Sequence, residues 1–253
     1  MSKDLLFSTY PELKNVSFTK DGRKEIQSFV LRTNPLSESL TNSVIKYYKD
    51  FAIPYDKSLV DDKRKLDFDE IFHNGNKGLV IEIGFGNGSS FVKMVEKNPN
   101  INYLGFEVYL NGFAECLTSI GEKNLTNARV MRADVIPILE NCIEQNSIDG
   151  INIFFPDPWP KKRHHKRRIM NDSFVSLVVP LLKDGGFLHF ATDIEDYAIS
   201  SLECLSKSKE LRNEYDGFAP SRLDRENSTF EAKAILDGRR IYDIFFKKHL
   251  TNL

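Results

Sequence analysis

From residue 79 onward, short apolar runs alternate with stretches of helical period. Leu79-Val-Ile-Glu-Ile83, Asn102-Tyr-Leu-Gly-Phe-Glu107, Ala128-Arg-Val-Met-Arg-Ala133, Gly150-Ile-Asn-Ile-Phe-Phe155 and Phe187-Leu-His-Phe-Ala191 read as strands. Most are β-branched or aromatic and nearly continuous in hydrophobicity, the pattern of strands covered on both faces. Between them Phe174, Val175, Leu177, Val178, Leu181 and Leu182 recur at helical spacing, with Asp172 expected as the N-cap and Gly185-Gly186 as the stop. Ala198, Leu202 and Leu205 mark another helix, and Ile241-Tyr-Asp-Ile-Phe-Phe246 a late strand after the Asp237-Gly238 turn. This alternation predicts an α/β fold with a doubly wound, mostly parallel sheet, whose ligands bind beyond the carboxyl ends of the strands.

Residues 1 to 65 differ. They are more polar, carry Arg23, Lys24 and Arg32, and predict one helix around Ser39 to Lys49, with Asp61-Asp-Lys-Arg-Lys65 as a solvated linker. They are expected to be an N-terminal extension (1–65) of a single domain (66–253). The chain has 253 residues, 41% of them apolar, which is enough for a sizeable core and excludes disorder throughout. No apolar run reaches the length needed to span a bilayer, and the first residues are too short and polar for a signal peptide. Three cysteines without a CxxC pair fit a reducing cytoplasm, and no His/Cys cluster or HExxH predicts a metal.

Glu82-Ile-Gly-Phe-Gly-Asn-Gly88 follows the first strand and opens a helix at Ser89. Glycines here let the backbone turn sharply and approach a ligand. A dinucleotide fingerprint starting at Gly84 would need glycine where Ser89 stands, which argues against a nicotinamide dehydrogenase. An acid just before alternating glycines instead suits S-adenosylmethionine (AdoMet), whose methionine end bears an ammonium and which has no pyrophosphate. Glu107 ends the second strand, at the spacing where an acid accepts ribose hydroxyls, and Asp134 ends the third, where it could receive the adenine amino group.

The net charge of −1 hides an uneven distribution. Lys161-Lys-Arg-His-His-Lys-Arg-Arg168 holds six permanent cations, so the rest of the chain carries −7. Such a run is either a solvated loop or a polyanion site in which clustered cations displace counterions from phosphates. It follows Phe154-Phe-Pro-Asp-Pro-Trp-Pro160 at the end of the fourth strand, so an acid, an aromatic and a cationic run converge beside the expected cofactor. Trp159 could stack on a base or pack in the core.

With these motifs the sequence resembles the bacterial tRNA (guanine-N7-)-methyltransferase family. The resemblance covers roughly residues 23 to 248 and rests on Ser28-Phe-Val-Leu-Arg-Thr33, the glycine loop, the PDPWP-KKRHHKRR stretch, Ala191-Thr-Asp193 and Ser228-Thr-Phe-Glu231. It implies a seven-stranded class I (Rossmann-like) methyltransferase fold and AdoMet-dependent methylation of the variable-loop guanine of tRNA, without a metal. By the same resemblance Glu82, Gly84, Glu107, Asp134 and Asp157 would contact AdoMet, with Asp157 also the active-site acid. Lys161, Asp193, Ser228, Thr229, Phe230 and Glu231 would hold the substrate, and Arg163, His164, His165, Lys166, Arg167 and Arg168 would meet the RNA. Ser228 stands where the family usually has Thr, and Asn87 where Met is frequent. Ser228 to Glu231 also satisfies an S-x-x-E capping box, which would by itself start a helix. His189 is expected to be a core histidine.

Guanine N7 carries a lone pair and no proton, so attack on a methyl group needs no general base. A carboxylate would instead orient the ring and offset its developing positive charge. Asp157, Asp193 and Glu231 are all candidates for accepting from the guanine N1–H and exocyclic amine. Rival readings are an AdoMet-dependent methyltransferase acting on another RNA, a small molecule or a protein, and an RNA-binding protein without activity. The sequence leaves monomer and homodimer open.

Overall fold

A computed structural model describes residues 2–16, 27–30 and 34–249. Leu31 to Thr33 of the Ser28 to Thr33 stretch, together with Arg23, Lys24 and Arg32, lie outside the described residues. Seven strands take the order β3-β2-β1-β4-β5-β7-β6, with helices between them, as the α/β reading expects. The chain divides into two compact units, one of Met1–Glu25 and Leu31–Ile143, the other of Ile26–Val30 and Glu144–Leu253.

The first unit holds α1 (Ser2–Thr9), α2 (Glu38–Phe51), α3 (Lys57–Asp61), α4 (Phe68–Phe72), β1 (Gly78–Ile83), α5 (Ser89–Lys97), β2 (Ile101–Phe106), α6 (Leu110–Glu122), β3 (Ala128–Met131) and α7 (Val135–Asn141). Its three strands are parallel, with Ile81 opposite Leu104 and Gly105 opposite Val130. Ile81, Leu104 and Val130 are fully buried, which explains the continuous apolar runs of the sequence. Helix α2 starts where Ser37 Oγ accepts from Leu40 N–H at 3.2 Å. It turns Thr41, Val44, Tyr48 and Phe51 inward and packs against α6. Ile53 N–H then donates to Val130 O at 2.9 Å. The stretch expected as a linker includes the end of α3, and Lys65 Nζ donates to Ile143 O at 2.8 Å.

The second unit holds β4 (Ile148–Phe154), α8 (Asp172–Val178), β5 (Leu182–Thr192), α9 (Glu195–Ser206), β6 (Leu211–Asn213), α10 (Thr229–Leu236) and β7 (Tyr242–Lys248). β4 and β5 are parallel, whereas β7 runs antiparallel to both β5 and β6. Two expectations are corrected here. Asn171, one residue before Asp172, caps α8 by accepting from Phe174 N–H at 3.0 Å. The helix ends at Val178 rather than at Gly185-Gly186, because Pro180 lacks the N–H to continue it and forms a short 3-10 turn with its neighbours. The glycine pair falls inside β5. Strand β6 has only three residues, too few to leave a periodic signal.

Candidate active site

In the first unit the glycine loop leaves β1 with Gly84, Gly86 and Gly88 at φ of 77°, 61° and 78°, a region that side chains with a Cβ rarely adopt. Phe85 is buried between them and stacks on Phe91 at 5.4 Å, which pins the loop to α5. Helix α6 is contoured to receive it. A Cβ on Gly112 would lie 2.3 Å from Gly86 O, and one on Gly88 would lie 2.4 Å from Cys116 Sγ. Gly112 and Cys116, four residues apart on one helix face, are small for that reason. Gly84 is different: it is exposed, and a Cβ there would meet nothing within 4 Å.

Glu107 closes the loop. Its Oε2 accepts from Gly86 N–H at 2.8 Å, and its Oε1 from Val108 and Tyr109 N–H at 2.8 and 2.9 Å. Charge-assisted bonds of this kind are the strong ones, so the carboxylate fixes the loop while staying at the strand end. Glu82, on β1, is buried. Burial first, then the negative field of Glu82 and Glu107, pushes the Cys116 thiol well up, so this cysteine is a packing residue and not a nucleophile. Asp134 caps α7, with Oδ1 accepting from Ile136 N–H at 3.1 Å, and its own N–H donates to Val16 O at 2.5 Å. An open, glycine-lined backbone flanked by carboxylates suits a ligand bearing an ammonium and hydroxyls, so the residues present fit AdoMet.

In the second unit β4 runs into a turn at 155–159. Phe155 and Trp159 both take left-handed backbone, at φ of 50° and 46°. For bulky residues this costs about 1–3 kcal/mol each and persists only where the surroundings enforce it. Phe155 N–H donates to Ala191 O at 2.8 Å, and Arg168 Nε donates to Pro158 O at 3.0 Å. Trp159 is half-buried: its Nε1–H donates to Ser28 O at 3.0 Å, and the Arg167 guanidinium lies 4.9 Å from its ring centroid. The indole is therefore a hub of protein contacts. Asp157, at the tip, is exposed and accepts from Val30 N–H at 3.3 Å.

The basic run folds as a 3-10 helix, Lys162–Arg167, with Lys161, Lys162, Arg163 and Lys166 exposed. Desolvation and then the cations around it, Arg163 first, lower the His164 pKa from its ordinary value. Arg168 departs from the expectation that it meets RNA. It is 4% exposed, its Nη2 donates to Asp196 Oδ2 at 2.7 Å, and its guanidinium covers Tyr197 at 4.5 Å. Its charge fastens the turn to α9.

The remaining expected residues fall in a second cluster. Ser228 is the N-cap of α10, its Oγ accepting from Glu231 N–H at 3.1 Å, while Thr229 and Phe230 are exposed. Glu231, expected to hold substrate, is only 2% exposed, and both its oxygens accept from Arg225, at 2.5 and 3.0 Å. Arg225 also donates to both oxygens of Asp243, at 2.6 and 2.8 Å, and Asp243 Oδ1 lies 2.8 Å from His189 Nε2. Asp193 is paired with Arg239. Burial lowers the His189 pKa more than Asp243 restores it. The Arg225 and His189 partnerships hold Asp243 below the usual carboxylate range despite its burial. Arg225, Asp243 and Arg239 were not singled out from the sequence. Asp243 left a signal, an acid inside an apolar strand, which must be paired if buried.

Among the described residues no group of three His, Cys, Asp or Glu side chains is placed to hold a metal, and no helix is long and apolar enough to cross a membrane. The strand order and the glycine loop at the end of β1 define a class I methyltransferase architecture. A family model described as a putative methyltransferase matches residues 76–244. A tRNA (guanine-N(7)-)-methyltransferase of Mannheimia succiniciproducens is 40% identical over 94% of this chain and 94% of its own. One of the same name from Francisella philomiragia is 41% identical over 91% and 98%. The chain belongs to the tRNA (guanine-N(7)-)-methyltransferase family. Among solved structures, a 30S ribosomal A1408 methyltransferase from an uncultured bacterium gives a TM-score of 0.48 at 18% identity, over 73% of this chain and 95% of that one; the family assignment rests on the sequence relatives.

Proposed function

We propose that the protein transfers a methyl group from AdoMet to N7 of the variable-loop guanine of tRNA, in the cytoplasm, with residues 66–253 as the catalytic domain and 1–65 as its extension. The observation that carries the reading is an exposed carboxylate, Asp157, on a strained turn that leads directly into a surface of four exposed cations. Membership of the family supplies the atom and the substrate. AdoMet, when bound, supplies a methyl group activated by a sulfonium.

The chain's own residues then have three tasks. Glu82, Gly84, Glu107, Asp134 and Asp157 would hold the cofactor, with Glu82 suited to the ammonium, Glu107 to the ribose hydroxyls and Asp134 to the adenine amino group. Asp157 accepts from the guanine edge and offsets the positive charge that the ring gains as N7 is alkylated. No proton needs to leave N7, so the transfer requires no general base. Holding the two reacting atoms in line is worth roughly 7–11 kcal/mol of the barrier. Lys161, Lys162, Arg163 and Lys166 bind phosphates without reading sequence. Thr229 and Phe230 complete the acceptor side, with Ser228 and Glu231 holding them from beneath.

Incubation with labelled AdoMet and unmodified tRNA, followed by digestion to nucleosides, tests this. Label is expected on N7-methylguanosine. Label on adenosine, or on no nucleoside, overturns the reading.

A further inference from the structure

We infer that Arg225 is a positioning residue for methyl transfer, registering the 155–159 turn and the 228–231 turn against each other through one buried guanidinium. The inference rests on the reading above, in which both turns serve the acceptor guanine.

Arg225 is 5% exposed and carries two bidentate pairs at once. One fork holds Glu231, in the first turn of α10 beside the exposed Thr229 and Phe230. The other holds Asp243 on β7, which lies opposite Ala191 on β5 and pairs with His189. The carbon of the same guanidinium lies 5.5 Å from the ring centroids of both Phe154 and Phe155. Phe155 is the first of the two left-handed residues around Asp157. Thus the brace on the strained turn and the anchor of the α10 turn are one group.

Charge chemistry alone does not require this arrangement. A buried ion pair is weak support for stability, since its desolvation cost offsets much of its attraction. Its value lies in geometry: a planar fork fixes two carboxylates in one plane, which an ammonium cannot do. Loosening it by about 1 Å is enough to cost roughly 100-fold in rate while the surface cations still bind RNA.

The test measures kcat, the KM for tRNA and the AdoMet affinity of wild type, Arg225→Lys, Arg225→Gln, Glu231→Gln and the double variant Arg225→Gln/Glu231→Gln. Circular dichroism and thermal unfolding show which of these are folded at the assay temperature. The expected result is a fall in kcat of about 100-fold in Arg225→Lys and Arg225→Gln, with AdoMet affinity and tRNA KM within about twofold of wild type. The double variant should be no slower than Arg225→Gln, because both changes cut the same linkage. Near-normal kcat in a folded Arg225 variant overturns the proposal, as does a loss expressed only in melting temperature or equally in AdoMet affinity. If both Arg225 variants fail to fold, Glu231→Gln alone decides: a lowered kcat at unchanged AdoMet affinity supports the linkage, and a normal kcat refutes it. A wild type that methylates no tRNA would sink the functional reading instead, so the two failures are distinct.

Discussion

Lys162 and Arg168 stand in the same cationic run, yet the structure gives them opposite work. Lys162 is exposed, whereas Arg168 directs its guanidinium at Pro158 O, Asp196 and the Tyr197 ring. Replacing Arg168 by Gln removes a charge-assisted bond, a backbone bond and a cation–π contact. The bond to a charged partner is worth about 1.5–3 kcal/mol, but Asp196 is 58% exposed on its side-chain surface and is screened. A loss of about 2–3 kcal/mol follows once the aromatic contact is added. For a chain of this size that lowers the melting temperature by roughly 4–12 °C. On the proposed reading, in which the four exposed cations bind phosphates, log affinity should fall with log salt at a slope of about −2.8 to −3.6. Arg168→Gln should keep that slope. Lys162→Gln should make it shallower by about 0.7–0.9 and leave melting unchanged. Anisotropy titrations with labelled tRNA across a salt series, beside thermal melts, read both quantities. An Arg168→Gln protein with a native melt and a shallower salt slope would refute the assignment.

Gly112→Ala would force a methyl group to within 2.3 Å of Gly86 O; AdoMet affinity should drop by at least about tenfold, or 1.4 kcal/mol, and unchanged calorimetric binding would mean that the loop is not held where the structure places it. Asp157→Asn keeps shape and removes charge: kcat should fall by about 100-fold with tRNA affinity retained, and a normal rate would end the carboxylate account. His189 has its pKa lowered from 6.5 by burial, so below pH 6.5 the unfolded chain binds a proton that the folded chain refuses. Its contribution to stability is full above that value and is lost progressively as pH falls from there through the lower folded value. His189→Gln should flatten this part of the melting-temperature profile, and an unchanged acid limb would show that His189 does not cause it.

The main elements were legible because their signals are local. A continuous apolar run such as Leu79 to Ile83 identifies a buried strand, and glycines at 84, 86 and 88 predict positive φ, which each of them adopts. The small residues that let α6 approach, Gly112 and Cys116, gave no sign, because their constraint comes from a loop more than twenty residues away. Charge was harder to read. Arg168 looks like its neighbours in sequence, and only packing against Tyr197 sets it apart. Arg225 sits in the polar stretch Asp224-Arg225-Glu226 and reads as solvent-exposed, yet it is bound on both forks by residues 6 and 18 positions later. Ser228 was legible twice over, as cap and as candidate site, and the structure supplies the cap, whereas Asp134, read as a candidate site, also caps a helix.

The central claim concerns one atom, and it can be removed. In a synthetic tRNA the variable-loop guanosine is replaced by 7-deazaguanosine, which puts a C–H where N7 stands and leaves the N1–H and amine edge unchanged. The account predicts that this tRNA still binds, competing with normal tRNA at similar affinity, and accepts no labelled methyl from AdoMet. Methyl transfer to the deaza tRNA at the normal rate would contradict it.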